Sequence, residues 1–173
     1  MTTRLPDVEQ LLEGLIQQIR GNIKPDTGII GIYTGGVWVA ERLHAALGND
    51  VQMGTIDIAF YRDDYDRRGL QGSVKPSDIP FDVNDRDIVL VDDVLYTGRT
   101  IRAAMNELFD YGRPGRVMLA ALVDRGGRQL PIEPQFVGAQ VTVPDDQLVS
   151  LQRADSGSLQ LSLRPRTEDK LQS

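Results

Sequence analysis

Val89-Leu90-Val91-Asp92-Asp93-Val94-Leu95-Tyr96-Thr97-Gly98-Arg99-Thr100 is the stretch on which the fold turns. The apolar run at 88–91 has the unbroken hydrophobic content of a strand buried on both faces, as central parallel strands are. Two carboxylates follow, then a short loop. From 98 to 111 the residues Ile101, Ala104, Met105, Leu108 and Phe109 recur at helical spacing, and Gly112 ends the run. In an open α/β sheet, ligands sit beyond the carboxyl ends of the strands. The first-turn amides of the following helix are donors without internal partners, and the helix dipole favours an anion there. Thr97 and Thr100 can add hydroxyl donors, and Gly98 lets backbone approach a ligand closely. Asp92 and Asp93 suit a diol, as on ribose, next to a phosphate held by the helix start. Adjacent aspartates alone often do no more than end a strand and cap a helix. The full order of apolar run, acid pair, Thr-Gly-x-Thr and amphipathic helix is far more specific.

One unit earlier the same grammar recurs. The apolar run 29–33 leads into Thr34-Gly35-Gly36, and helical spacing over 37–47 stops at Gly48. Bare amides at Thr34 and Gly35 suit a second anion, although glycine after a strand is commonly just a turn. No glycine-rich motif of the P-loop or dinucleotide type competes. His44 and Trp38 in the following helix read as packing residues.

Outside these units, Val8, Leu11, Leu12, Leu15, Ile16 and Ile19 mark an amphipathic helix over 7–20. Residues 51–61 alternate as a strand, and 117–123 read as another buried strand. Between them, 62–81 carries Arg62, Arg67, Arg68 and Lys75 among aspartates, glycines and prolines with little apolar periodicity. A loop of that length in a compact domain reads as an active-site lid. Beyond Asp124 the pattern breaks into short strands and turns, and 164–173 reads as a frayed tail. Strands alternating with helices, then a smaller irregular part, predict one α/β domain over 1–173 with an appended subdomain at about 125–145.

The 173 residues include no cysteine and one histidine, which removes disulfide frameworks and most zinc sites. No apolar run approaches the roughly 20 residues of a membrane span, and the first residues lack the apolar core of a signal peptide. A soluble, cytoplasmic protein with no membrane partner is expected. The net charge of −6 argues against a generally basic nucleic-acid binder.

With Val-Asp-Asp-Val-Leu-Tyr-Thr-Gly-Arg-Thr stand Asp57-Ile58, Tyr61-Arg62-Asp63-Asp64, Gly112-Arg113-Pro114, Leu122-Val123-Asp124-Arg125-Gly126 and Leu130-Pro131-Ile132. In this order, over about 28–138, the chain resembles the PyrR family of type I phosphoribosyltransferases. The resemblance implies a central parallel sheet with helices on both faces plus a small hood subdomain. It implies a uracil phosphoribosyltransferase that converts uracil and 5-phosphoribosyl-1-pyrophosphate (PRPP) to UMP and pyrophosphate. It also implies control of pyrimidine-biosynthetic genes, commonly through leader RNA and in response to UMP or UTP, by a homo-oligomer (dimer or larger). Under it, Asp92 and Asp93 are the catalytic pair at the ribose hydroxyls. Thr97, Gly98, Arg99 and Thr100 hold the 5-phosphate, with Val94, Leu95 and Tyr96 in the same loop. Thr34 and Gly35 border the pyrophosphate. Arg125, Phe136 and Val137 belong to the hood over the base, and Mg2+ arrives with PRPP rather than in a cage of protein ligands.

Three positions depart from the family's usual pattern. Gly35 stands where Arg is usual, Gly127 where His is, and Ala139 where Lys is. The exposed face of the first helix offers Glu9, Gln10, Glu13, Gln17 and Gln18 in place of cations. Arg113, Arg116, Arg125 and Arg128 are left as a smaller patch, so weak or no binding of leader RNA is expected. Two other readings stay open: a nucleotide-sensing regulator without catalysis, and a purine-type phosphoribosyltransferase. The Tyr61-Arg62-Asp63-Asp64 and Leu130-Pro131-Ile132 matches weigh against the second.

Overall fold

The Asp7 carboxylate accepts the Gln10 amide at 3.1 Å and so starts the first helix, α1, over Val8–Arg20. The computed structural model describes residues 4–58 and 77–167. After α1 come β1 (Gly28–Ile32), α2 (Gly35–Leu47), β2 (Gln52–Ile56), β3 (Asp87–Leu95), α3 (Arg99–Asp110), β4 (Arg116–Asp124) and β5 (Phe136–Gln140). A hairpin of β6 (Gln147–Arg153) and β7 (Leu159–Pro165) closes the described chain.

Strands β1 to β5 form one parallel sheet in the order β2-β1-β3-β4-β5, while β6 and β7 pair antiparallel in a sheet of their own. Side chains alternate across a strand, and β3 shows it. Val89 and Val91 face α1 and α2, meeting Leu12, Leu15, Ile19 and Leu43. Ile88 and Leu90 face the other way, onto Ile101, Ala104 and Leu108 of α3. Helices therefore cover both faces, which is the α/β architecture that the uninterrupted apolar strands required. The hairpin adds Val149, Leu151, Leu159 and Leu161 to the α1/α2 side. Leu15 and Ile19 are fully buried at the centre of that side, where truncation to alanine costs about 2–5 kcal/mol. On the surface, Arg42 of α2 grips Glu9 of α1 with two hydrogen bonds, one of 3.0 Å. The Glu9 hydrogen bond raises the Arg42 guanidinium above its ordinary pKa.

Both edges of the sheet are occupied. At β2, Thr55 and Asp78 exchange two backbone hydrogen bonds of 2.7 and 2.9 Å. At β5, the Gln18 side-chain amide donates to the Val137 carbonyl at 2.9 Å and accepts the Val137 amide at 3.2 Å.

Several boundaries differ from those the sequence suggested. Strand β3 does not stop at Val91 but continues to Leu95, because β4 keeps pairing with it through Val94↔Val123 and Leu95↔Asp124. Within the described residues β2 ends at Ile56, and the rest of the expected 51–61 strand departs from the ladder or lies outside the description. The expected lid at 62–81 is described only from 77 onward. There it is docked, with the Ser77 hydroxyl accepting the Asp57 amide at 3.0 Å and Phe81 packed against Gly28. The expected hood at 125–145 is divided. Its centre is β5, a strand of the main sheet in register with β4 through Ala120↔Phe136 and Ala121↔Val137. The separate small sheet is the β6–β7 hairpin, further along the chain.

Candidate active site

The strand order places the functional loops. The chain runs from β1 outward to β2 and then returns to the other side of β1 for β3. At such a switch point the connections leave in opposite directions and open a crevice beyond the strand ends. The loop after β1 and the loop after β3 both border that crevice, one leading into α2 and the other into α3.

The first loop is built by close approach. The Tyr33–Thr34 peptide is cis, and Thr34 caps α2 without a side-chain hydrogen bond. A methyl group on Gly36 would sit 2.5 Å from the Val91 carbonyl oxygen, and one on Gly35 would overlap the Asp93 carboxylate. Glycine is therefore required at 36, where the obstacle is main chain, whereas at 35 the obstacle is a carboxylate that can rotate away. The Val37 amide turns back to the Thr34 carbonyl at 3.2 Å. The amides of Gly35 and Gly36 belong to the first turn, which has no acceptors inside the helix.

The acid pair sits inside the β3 ladder, one residue from this loop. Asp92 is 6% exposed, and its Oδ1 accepts the Asp93 amide at 2.9 Å. Asp93 is half-buried, and its Oδ1 accepts the Val94 amide at 2.9 Å while Oδ2 lies against Gly35. The Asp93 carboxylate is turned toward the start of α2, where it lies against Gly35. Of the two, Asp93 is the carboxylate placed between the loops.

The second loop is braced by side chains. Gly98 has φ of 92°, in the left-handed region that suits glycine, and its Cα faces Ile132 so closely that a Cβ would lie 3.0 Å from Cγ1. The Thr97 hydroxyl accepts the Arg99 amide at 3.2 Å, and the Arg102 amide makes the first helical bond to the Gly98 carbonyl at 3.0 Å. Thr100 follows in the first turn of α3. The Thr97 carbonyl receives the amides of Gln129 and Leu130 at 2.9 and 3.1 Å. Arg99 donates to the Gln129 side chain at 2.9 Å. Val94 packs toward the α1/α2 core and Leu95 is buried toward α3. Between them and Thr97, Tyr96 meets three arginines. Arg128 donates to its carbonyl at 2.7 Å, the Arg125 guanidinium lies 4.1 Å from its ring centre, and Arg166 donates to its hydroxyl at 3.0 Å.

Sequence reasoning missed most of that brace. Arg128 stood only as a surface cation, yet it holds Asp124 at 2.7 Å and the Ile132 carbonyl at 2.8 Å as well as Tyr96. Arg125 is nine-tenths buried, donates to the Gln147 carbonyl at 3.0 Å, and keeps a buried Nε–H with no acceptor among the described residues. The Phe136 ring is 5% exposed in the core that α1 covers, because β5 belongs to the main sheet, so its position gives no support to a place over the base. Val137 sits beside it on the edge strand with its backbone held by Gln18. Arg62, Arg67, Arg68 and Lys75 lie outside the described residues. The four-arginine patch also separates. Arg113 and Arg116 stand at the amino end of β4, where Arg116 pairs with Asp87 at 2.9 Å, and Arg125 and Arg128 stand at its carboxyl end.

Comparison with known proteins places the chain in a family. The family model for the phosphoribosyl transferase domain matches residues 2–149. The "Bifunctional protein PyrR" of Pseudomonas paraeruginosa is 49% identical over 152 residues, covering 85% of this chain and 89% of that protein. The protein of the same name from Nitrosococcus oceani is 51% identical over 156 residues, covering 89% and 87%. Among solved structures, a hypoxanthine-guanine phosphoribosyltransferase from Bacillus anthracis superposes with a TM-score of 0.63 at 22% identity, covering 86% of each chain. A purine phosphoribosyltransferase from Pyrococcus horikoshii gives 0.59 at 29% identity, covering 78% and 82%. Those structures share the fold, while identity near one half over most of both chains marks the nearer kinship. The chain belongs to the phosphoribosyltransferase family and, within it, to the PyrR proteins.

Proposed function

We propose that this protein transfers the phosphoribosyl group of PRPP to uracil, giving UMP and pyrophosphate, and that occupancy of the same site by UMP or UTP is what its regulatory role reads. The observation that carries the proposal is the contact of Asp93 with Gly35. It sets a carboxylate for the ribose between two helix starts, each offering amides to an anion. A ligand with a diol in the middle and phosphate groups at both ends fits that order. On this reading Thr97 to Thr100 take the 5-phosphate and Thr34 to Gly36 take the pyrophosphate.

In the reaction the bond from ribose C1 to the pyrophosphate oxygen breaks and a bond to uracil N1 forms, with the N1 proton passing to solvent. Positive charge grows on the sugar and negative charge on the leaving group. Asp93, with Asp92 behind it, faces the first change, and the α2 amides face the second. Holding both substrates in the crevice supplies orientation. Magnesium bound to the pyrophosphate would offset its charge. Such an ion takes oxygen ligands and keeps several waters, and Asp93 is the carboxylate positioned toward that loop. For the base, the orphaned Arg125 Nε–H is a buried donor beside Tyr96, and a carbonyl oxygen of uracil would satisfy it.

Incubating the protein with PRPP and magnesium, and with uracil, hypoxanthine or guanine in turn, tests the proposal through release of pyrophosphate. UMP formed with uracil alone is the expected result. Pyrophosphate released with a purine and not with uracil would replace this reading with a purine-type enzyme. Tight UMP binding without turnover of any base would leave a sensor without catalysis.

A further inference from the structure

We propose that Arg166 is a positioning residue for the phosphate-binding loop, acting through the Tyr96 hydroxyl, so that the position of the β6–β7 hairpin sets the affinity for PRPP. The inference rests on the assignment of residues 94–100 to the 5-phosphate, and it adds a control element from the far end of the chain.

Tyr96 immediately precedes Thr97 and Gly98, so a ring anchored at its hydroxyl limits where the backbone of the phosphate cradle can move, one peptide unit away. Two of its three arginines, Arg125 and Arg128, come from the segment just after β4 and hold the ring face and the carbonyl. Arg166 arrives from just beyond β7. Its Nη2 donates to the Tyr96 hydroxyl at 3.0 Å, and its guanidinium carbon lies 5.4 Å from the ring centre. The arginine is itself fixed, because its amide donates to the Asp146 carbonyl at 2.7 Å. Asp146 adjoins Gln147, whose carbonyl accepts Arg125 at 3.0 Å. The open end of the hairpin, where Gln147 pairs with Pro165, is thus pinned to Tyr96 from two sides. Two guanidinium groups can share one ring because its electron-rich face and hydroxyl oxygen both attract cations. Gly127 completes the socket. Its φ is 78°, and a methyl group there would overlap Tyr96 Cε2, so the ring has no room to retreat on that side.

A mere surface contact would leave the loop indifferent to Arg166. A positioning role makes two substitutions equivalent. Arg166→Met removes the donor and keeps the stem, and Tyr96→Phe removes the acceptor and keeps the ring. Each should raise the KM for PRPP about three- to tenfold, less than the full worth of the hydrogen bond because Arg166 acts on the loop only through Tyr96. kcat should stay within about twofold and the melting temperature should fall by no more than about 4 °C. The double variant should be no worse than either single one, and Arg166→Lys should recover most of the loss. In the ligand-free protein, amide exchange at Thr97 and Arg99 should quicken in Arg166→Met. That last reading is independent of PRPP, so it separates the two ideas. A wild-type protein that ignores PRPP overturns the assignment of the loop, whereas unchanged exchange in Arg166→Met overturns the role of Arg166. Additive effects in the double variant, or an equal fall in kcat with a melting temperature lowered by more than about 4 °C, would also overturn it.

Discussion

The two anion-facing loops are built by opposite means. The loop after β1 has no side-chain brace at Thr34 and is held by backbone lying on backbone, with Gly36 against the Val91 carbonyl. The loop after β3 is held at a distance by long cationic side chains and by the 129–130 amides on Thr97. Close packing gives the first loop one arrangement that any added carbon spoils. The arginine brace gives the second loop an arrangement that can be weakened step by step. On the proposed function, the first loop would release a pyrophosphate and the second would keep a 5-phosphate through the reaction.

The largest expected effect falls on what the loops share. Asp92→Asn with Asp93→Asn should lower kcat/KM for PRPP by about a hundredfold or more, the scale seen when electrostatic stabilisation of a transition state is removed. Steady-state pyrophosphate release checks it, with circular dichroism to confirm the fold. Kinetics unchanged in a folded double variant would remove the acid pair from the ribose.

Breaking the supports separately tests the contrast itself. Arg128→Ala leaves Asp124, 6% exposed, without its partner and frees the Tyr96 carbonyl. Roughly 3 kcal/mol of stability should be lost, as for a broken buried pair, measured by denaturant unfolding. Gly36→Ala meets a main-chain oxygen that cannot step aside, and should cost about 1–3 kcal/mol as overpacking does. Gly35→Ala meets instead the end of the Asp93 side chain, which can rotate. There the fold should survive and the cost should appear as about tenfold in kcat/KM, near 1.4 kcal/mol. Equal stability loss in both glycine variants would erase the distinction between backbone and carboxylate contacts.

The smallest effect concerns nucleic acid. Arg116 and Arg128 are spent on Asp87 and Asp124, and the two arginine pairs are separated by the length of β4, about 26 Å at 3.3 Å per residue. The chain therefore has no compact cationic face built from these four residues. Titration of a pyrimidine leader transcript at two salt concentrations, with and without UMP, should give weak binding with a shallow salt slope. Tight, UMP-enhanced, steeply salt-dependent binding would show that copies of the chain pool their arginines.

Local sequence carried the core of the site. The run through Val91, the acid pair and Thr97-Gly98 form one strand–loop–helix unit whose spacing is set within a dozen residues, and the same holds for Thr34 to Leu47. What stayed hidden depends on distant pairing. Whether Phe136 lies in a hood or in the main sheet is decided by Ala120 across the ladder, not by its neighbours between Pro134 and Pro144. Arg166 is 70 residues from Tyr96, and Gln18 is 119 from Val137. No periodicity signals such contacts. Continuation of β3 through its own aspartates was also illegible, since carboxylates argue for a strand's end and only the partner strand keeps them in the ladder.

A parallel sheet is a template that copies itself: each outer strand offers the next chain the row of donors and acceptors that its own neighbour used. Here the template is stopped at both ends by a plug one peptide unit long. Gln18, whose side-chain amide has the shape of a peptide group, imitates a single residue of an absent strand beside Val137, and the backbone of Asp78 does the same beside Thr55. Among the described residues the imitation goes no further than one residue, so there it ends the row instead of extending it. Its consequence lies in colloidal behaviour at high concentration, where an unplugged edge would let one molecule's sheet continue into another's.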